Sequence, residues 1–160
     1  MKNIVMARID DRLLHGQVVI SWIPFLKVSK VIVIDDDSAN DEFMKELIVT
    51  SAPNGVAAHV LTLEASINYF NKDSDNERVL ILTKNIDNIR ELLANNIQLN
   101  IVNLGNLGHN KDRKRYLNFI HLSDEEIKLL KEIDKIDNCN LEIQMIPNDK
   151  KYSLDELLKG

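Results

Sequence analysis

Short apolar runs rich in β-branched residues recur along this chain, and they alternate with stretches of helical spacing. Val31 to Ile34 reads VIVI and Val79 to Leu82 reads VLIL. Neither run interleaves polar residues, so each predicts a strand covered on both faces. Further strands are predicted at Ile4 to Ile9, Ala57 to Leu61, Leu99 to Leu104, Phe119 to Leu122 and Leu141 to Ile146. Between them, helices are predicted over Gln17 to Leu26, ending near Pro24, and over Asp41 to Ser51. Others follow at Leu63 to Phe70 behind Thr62 as N-cap, and at Ile86 to Ala94 with apolar spacing at Ile86, Ile89, Leu92 and Leu93. Ser123-Asp124-Glu125-Glu126 and Ser153-Leu154-Asp155-Glu156 are capping-box signatures that open two more. This alternation predicts an α/β fold: a single domain over residues 1–160, with a mostly parallel central sheet of about seven strands and helices on both faces. The run from Ile4 is apolar enough to lie inside that sheet.

Composition narrows the function classes. The formal net charge of −5 argues against a nucleic-acid partner, which needs a net basic face. One basic cluster, Lys111 to Arg115, runs against that balance and reads as a solvated loop. The lone Cys139 excludes an internal disulfide and a cysteine-rich metal site, and suits a reducing cytosol. No segment carries about 18 consecutive apolar residues, so the expectation is a soluble cytoplasmic protein, and any membrane role must come through a partner. No two histidines have metal-ligand spacing, so neither metal nor cofactor is expected.

In parallel α/β folds, ligands bind beyond the carboxyl ends of the strands. The first such loop reads Arg8-Ile9-Asp10-Asp11-Arg12-Leu13-Leu14-His15-Gly16-Gln17. Two arginines, two carboxylates and a histidine stand where a strand hands over to a helix. Gly16 permits close backbone approach, and the helix opening at Gln17 leaves N–H groups unpaired beneath a partial positive charge. Such a place suits an anion, above all phosphate. A neutral imidazole beside it is a competent phosphoryl acceptor. The same residues also fit a salt-bridge and capping cluster with a bystander histidine.

The stretch ARIDDRLLHGQV from Ala7 to Val18 resembles the N-terminal signature of the IIB subunits of mannose/fructose/sorbose phosphotransferase systems. The resemblance continues through Trp22, VIVIDDDSAND (Val31 to Asp41), Ala52-Pro53-Asn54-Gly55, Asn103-Leu104-Gly105, HLSDEE (His121 to Glu126) and Ile146-Pro147. It implies a phosphocarrier that takes a phosphoryl group from a IIA protein and passes it to a sugar held by the membrane IIC and IID subunits. It implies His15 as the phosphoacceptor, Arg8 and Arg12 as phosphate neighbours and Asp10 as an orienting residue; the open helix start adds Gly16 and Gln17 as phosphate-binding residues beside Arg12. Many relatives have two adjacent glycines after the fifth strand, where this chain has Gly105-Asn106-Leu107-Gly108.

Three other readings compete. VIVIDDD resembles the acidic strand end of a receiver domain, but VLIL ends in Thr83-Lys84-Asn85 with no acceptor aspartate. Asp35 to Asp37 are then expected to shape the rim or cap the next helix. A histidine phosphatase places Arg directly before its His, where this chain has Leu14. A regulator that has lost transfer but still binds its partner is opposed by the intact Arg12 and His15. His59 and His121 read as local structure. His109, beyond the fifth strand, is the one other histidine placed for contact with the site.

Overall fold

Six of the chain's strands lie side by side in one parallel sheet, as the uninterrupted apolar runs demand. The computed structural model describes residues 1–160. In chain order the elements are β1 (Ile4–Asp10), a π-helical turn (Val18–Trp22) running into α1 (Ile23–Leu26), β2 (Lys30–Ile34), α2 (Asp36–Ala39), α3 (Glu42–Thr50), β3 (Ala57–Leu61), α4 (Leu63–Phe70), β4 (Val79–Thr83), α5 (Ile86–Ala94), β5 (Ile101–Asn106), β6 (Lys114–Leu117), β7 (Ile120–Leu122), α6 (Asp124–Asp134), β8 (Asn140–Ile143) and α7 (Leu154–Lys159). The sheet order is β3-β2-β4-β1-β5-β8, and β6 and β7 form a separate antiparallel hairpin.

Alternate residues of each strand serve opposite faces. Met6, Val31, Val33, Leu80 and Leu82 pack with Val18, Trp22 and Ile23 and with Ile48 of α3. Ile9, Ile32, Ile34 and Ile81 pack on the other side with α5, α6 and α7. β1 lies inside, between β4 and β5. The connection that leaves β1 crosses one face, and those that leave β4 and β5 cross the other. The end of β1 is therefore a topological switch point, where parallel sheets open a crevice.

The predicted helix bounds at Leu63–Phe70 and Ile86–Ala94 hold to the residue, as do both capping boxes. Four local expectations need correction. The first helix does not end near Pro24. Proline has no N–H for the carbonyl four residues back, and before it the Ile23 amide reaches five residues back to Val18. The ladder widens into a π turn and restarts with Pro24 in the first turn of α1, where proline is tolerated. The last strand stops at Ile143 rather than Ile146: Gln144 still donates its N–H to the Leu104 carbonyl at 3.2 Å, but its own carbonyl accepts from Arg8 and its side-chain amide bonds the carbonyls of Pro147 and Asp149. The fifth begins two residues late, at Ile101, and runs to Asn106. The basic run is not a bare loop: Arg113 makes paired bonds to Glu126 of α6, both 2.9 Å, and Lys114 begins β6. No helix is long and apolar enough to cross a membrane.

Candidate active site

β1 ends at Asp10 and the chain turns at once. The Leu13 amide donates to the Asp10 carbonyl at 3.0 Å. Leu13 takes a left-handed φ of 56°, unusual for a branched residue. Such a conformation costs roughly 1–3 kcal/mol and persists only where its surroundings hold it; here the side chain is buried with Met6 and Val18. The reversal swings His15 back over the strand end, where its Nε2 lies 3.0 Å from Oδ2 of Asp10.

Asp10 is fully buried and is the hub of the loop. Its Oδ1 accepts from the Arg12 backbone N–H at 3.0 Å and from Arg12 Nε at 3.1 Å. Its Oδ2 accepts from Arg12 Nη2 and Arg8 Nη2, each at 3.2 Å, and from Arg8 Nε at 3.3 Å. Burial pushes this carboxyl up, but the bonds from His15 and Arg12 and the charge of Arg8 outweigh it and hold the pKa at about 2. At neutral pH Asp10 is an anion facing the imidazole.

The two arginines have different places. Arg8 is fully buried. Besides Asp10, its Nη1 donates to Asn103 Oδ1 at 2.6 Å and to the Gln144 carbonyl at 3.1 Å, and its Nη2 donates to the Met145 carbonyl at 2.9 Å. A guanidinium has five N–H donors, and here all are used. Its Cζ sits 5.2 Å from the centroid of the Trp22 ring, whose Nε1–H donates to the same Met145 carbonyl at 3.0 Å. Burial draws the Arg8 pKa down to about 10 against the opposing pull of Asp10. Gly105 is what makes room: a Cβ there would stand 2.1 Å from Arg8 Cζ. Arg8 therefore has no donor to spare for a phosphate in this arrangement. Arg12 keeps 39% of its side chain exposed, bonds Gln17 Oε1 at 3.0 Å, and has no protein partner at Nη1.

Gln17 links outward, its Nε2 lying 3.7 Å from the Met145 sulfur. A Cβ on Gly16 would meet nothing within 4 Å, so the glycine leaves open surface rather than a special turn. Asp11 orients neither His15 nor an arginine. It accepts from Asn106 Nδ2 and from the Gly108 N–H, both at 2.7 Å, and ties the first loop to the one after β5. Sequence reasoning missed that tie, and missed the parts of Asn103, Gly105, Gln144 and Met145. Their partners lie some 95 to 137 residues away along the chain, beyond any local pattern.

None of the remaining candidates bonds to Asp10, Arg12 or His15, although His109 directly follows Gly108, which is tied to Asp11. Asp35 caps α2 through the Ser38 N–H, and Asp36 accepts from the Leu63 N–H, as expected of rim residues. His59 is exposed on the edge strand β3. His109 is exposed and meets His121 edge to face, with centroids 5.9 Å apart; the His121 Nδ1 lies 3.1 Å from the Leu107 carbonyl. Burial pushes the Cys139 thiol up, which suits an unreactive packing residue.

Comparison with known proteins gives this geometry a context. The family model described as "PTS system sorbose subfamily IIB component" matches residues 4–160. The mannose-specific EIIAB component of the phosphotransferase system (PTS) of Escherichia coli K12 is 31% identical over 154 residues, which is 96% of this chain. This chain spans 47% of that longer relative. Among solved structures, manxB from Thermoanaerobacter tengcongensis is 33% identical, with a TM-score of 0.90 and 99% of this chain and 96% of that one covered. The IIBSor domain of the sorbose permease from Klebsiella pneumoniae superimposes with a TM-score of 0.91 at 27% identity, covering 98% of this chain and 97% of that one.

Proposed function

This chain belongs to the sorbose/mannose family of phosphotransferase-system IIB components, phosphocarriers that work through a phosphohistidine, and from that premise we propose that His15 is the residue that carries the phosphoryl group. The observation that carries the proposal is the contact of His15 Nε2 with buried, anionic Asp10. An anion there accepts a hydrogen bond, so Nε2 holds the proton and the lone pair is left on Nδ1. Nδ1 is then the attacking atom.

On this reading a IIA protein presents its own phosphohistidine. The N–P bond of the donor breaks, its electron pair returns to the donor nitrogen, and a new N–P bond forms at Nδ1. The imidazole gains positive charge as that bond forms, and Asp10 stabilises it. Arg12 Nη1 and the N–H groups near Gly16 and Gln17 face the phosphoryl oxygens, whose spread charge is the main demand of such a transfer. Arg8 acts one step back, holding Asp10 in place and ionised. The group then passes to a hydroxyl of a sugar held by IIC and IID subunits at the cytoplasmic face of the membrane. Residues 1–160 act as one IIB domain, and selection of the sugar lies with the permease.

The test is to incubate the protein with phosphoenolpyruvate, the general phosphocarriers and IIA, and to map the label under alkaline conditions, where phosphohistidine survives. His15→Ala is expected to fold and to take up no label, while His59→Ala, His109→Ala and His121→Ala keep it. Full labelling of His15→Ala, or label on Asp35 to Asp37, overturns the assignment.

A further inference from the structure

From Gly16 to Leu26 the chain reads GQVVISWIPFL, eleven residues without a charge, in a protein that is 28% charged. About three charges would be expected in a stretch of that length. The segment is helical throughout and begins beside His15. Its inner side is accounted for: Val18, Trp22 and Ile23 are buried against the sheet. Its outer side is not polar, as a solvated helix face should be. Gly16, Ile20 and Pro24 are exposed at four-residue spacing, which puts them on one face. Ile20 is 76% exposed, the most of any large apolar residue in the molecule, and Phe25 beside this row is 61% exposed. Only Gln17 and Ser21 interrupt the apolar surface of this segment, and an exposed apolar face of this kind marks a contact surface.

Position says what covers it. Transfer between two proteins brings the reacting atoms to about 3–3.5 Å, so a donor seated on His15 also lies over the residues around it. Gly16 is the next residue, and Ile20 is one helical turn further. We infer that the uncharged face Gly16–Ile20–Pro24, with Phe25 at its edge, is the docking surface for the phosphohistidine-bearing donor protein. Ile20 is its anchor. The inference rests on the reading of His15 as acceptor. The face is open at Gly16, where no Cβ stands in the way of an approaching donor imidazole.

The experiment measures transfer from phosphorylated IIA to the parent, Ile20→Asp, Phe25→Asp and Ile136→Asp. Ile136 is also an exposed apolar residue but lies before β8, at the opposite end of the strands. A second arm uses phosphoramidate, a small phosphoryl donor that needs no docking surface. Ile20→Asp is expected to raise KM for IIA about tenfold or more, as loss of an interface anchor does. Its kcat should change little, and phosphoramidate should label His15 at the parent rate. Phe25→Asp should show a smaller rise in KM, and Ile136→Asp none. An unchanged KM in Ile20→Asp overturns the inference. So does a loss confined to the later step onto sugar, which would hand the face to the permease. Self-association of the parent that Ile20→Asp abolishes, with transfer from IIA unaffected, would hand it to a second copy of the chain. Failure of phosphoramidate to label His15 in the parent strikes instead at the acceptor assignment.

Discussion

Two arginine-bearing loops stand at the carboxyl end of this sheet, and they use their charge in opposite ways. In the loop of residues 8–17, the cations converge on one buried carboxylate, and Arg8 is sealed from solvent with every donor used. In the basic stretch of residues 111–115, Arg113 is held by Glu126, while Lys114 and Arg115 stand exposed on β6. The first loop uses its charge to fix the position and ionisation of Asp10, the carboxylate that faces His15. The second leaves charge free to act at a distance, where salt screens it. An arginine near a site is therefore not one kind of thing. Its role follows from how many of its donors the fold has already used.

The contrast within the first loop is the most breakable. Arg8→Ala is expected to destabilise the fold by about 3–5 kcal/mol, because it removes one of the two cations on a buried carboxylate and leaves the buried Asn103, Gln144 and Met145 oxygens without their donor. Arg12→Ala, at a half-exposed position, should cost less than about 1 kcal/mol. Yet Arg12→Ala should slow phosphoryl transfer on the order of a hundredfold, through loss of a donor to the transferring group. Urea unfolding and single-turnover transfer on both variants decide the matter. Equal stability losses for the two would erase the distinction drawn between them.

Acid sharpens the same contrast. The pKa of Asp10 is about 2 in the fold against an ordinary 3.8. Between those values the unfolded chain binds more protons, so stability rises with pH. The contribution is full above about pH 4 and is lost as pH falls toward 2, amounting to about 2 kcal/mol. Urea midpoints measured from about pH 6 down to 2 should show that part of the slope in the parent and not in Asp10→Asn. A variant with the parent slope would move the acid sensitivity to another carboxylate.

The smallest effect belongs to the second loop. Lys114→Glu with Arg115→Glu should leave stability within about 0.5 kcal/mol. We expect transfer from IIA to slow less than about tenfold at low salt, and not at all near 1 M salt, where the screening length is about 3 Å. A salt-independent loss would mean that the hairpin makes short-range contacts instead.

What the sequence determined by itself was whatever depends on neighbours along the chain. Period and capping place α4 and α5 to the residue, because Thr62, Ile86, Ile89 and Leu92 act within a few turns of one another. The uninterrupted apolar runs required a parallel sheet covered on both faces, and the cluster of two arginines, two carboxylates and a histidine picked out the loop that begins at the end of β1. Some local effects were also missed, such as the π turn that the absent N–H of Pro24 produces. What only the tertiary structure decided was which donors remain free. Nothing near Arg8 in sequence reveals that Asn103, Gln144 and Met145 accept its hydrogen bonds, or that Gly105 vacates the space its guanidinium fills. Those partners come from β5 and from the end of β8, and only the pairing of β1 with β5 and of β5 with β8 brings them to the end of β1. Donor satisfaction depends on contacts across the sheet, and a one-dimensional pattern holds no distance between strands.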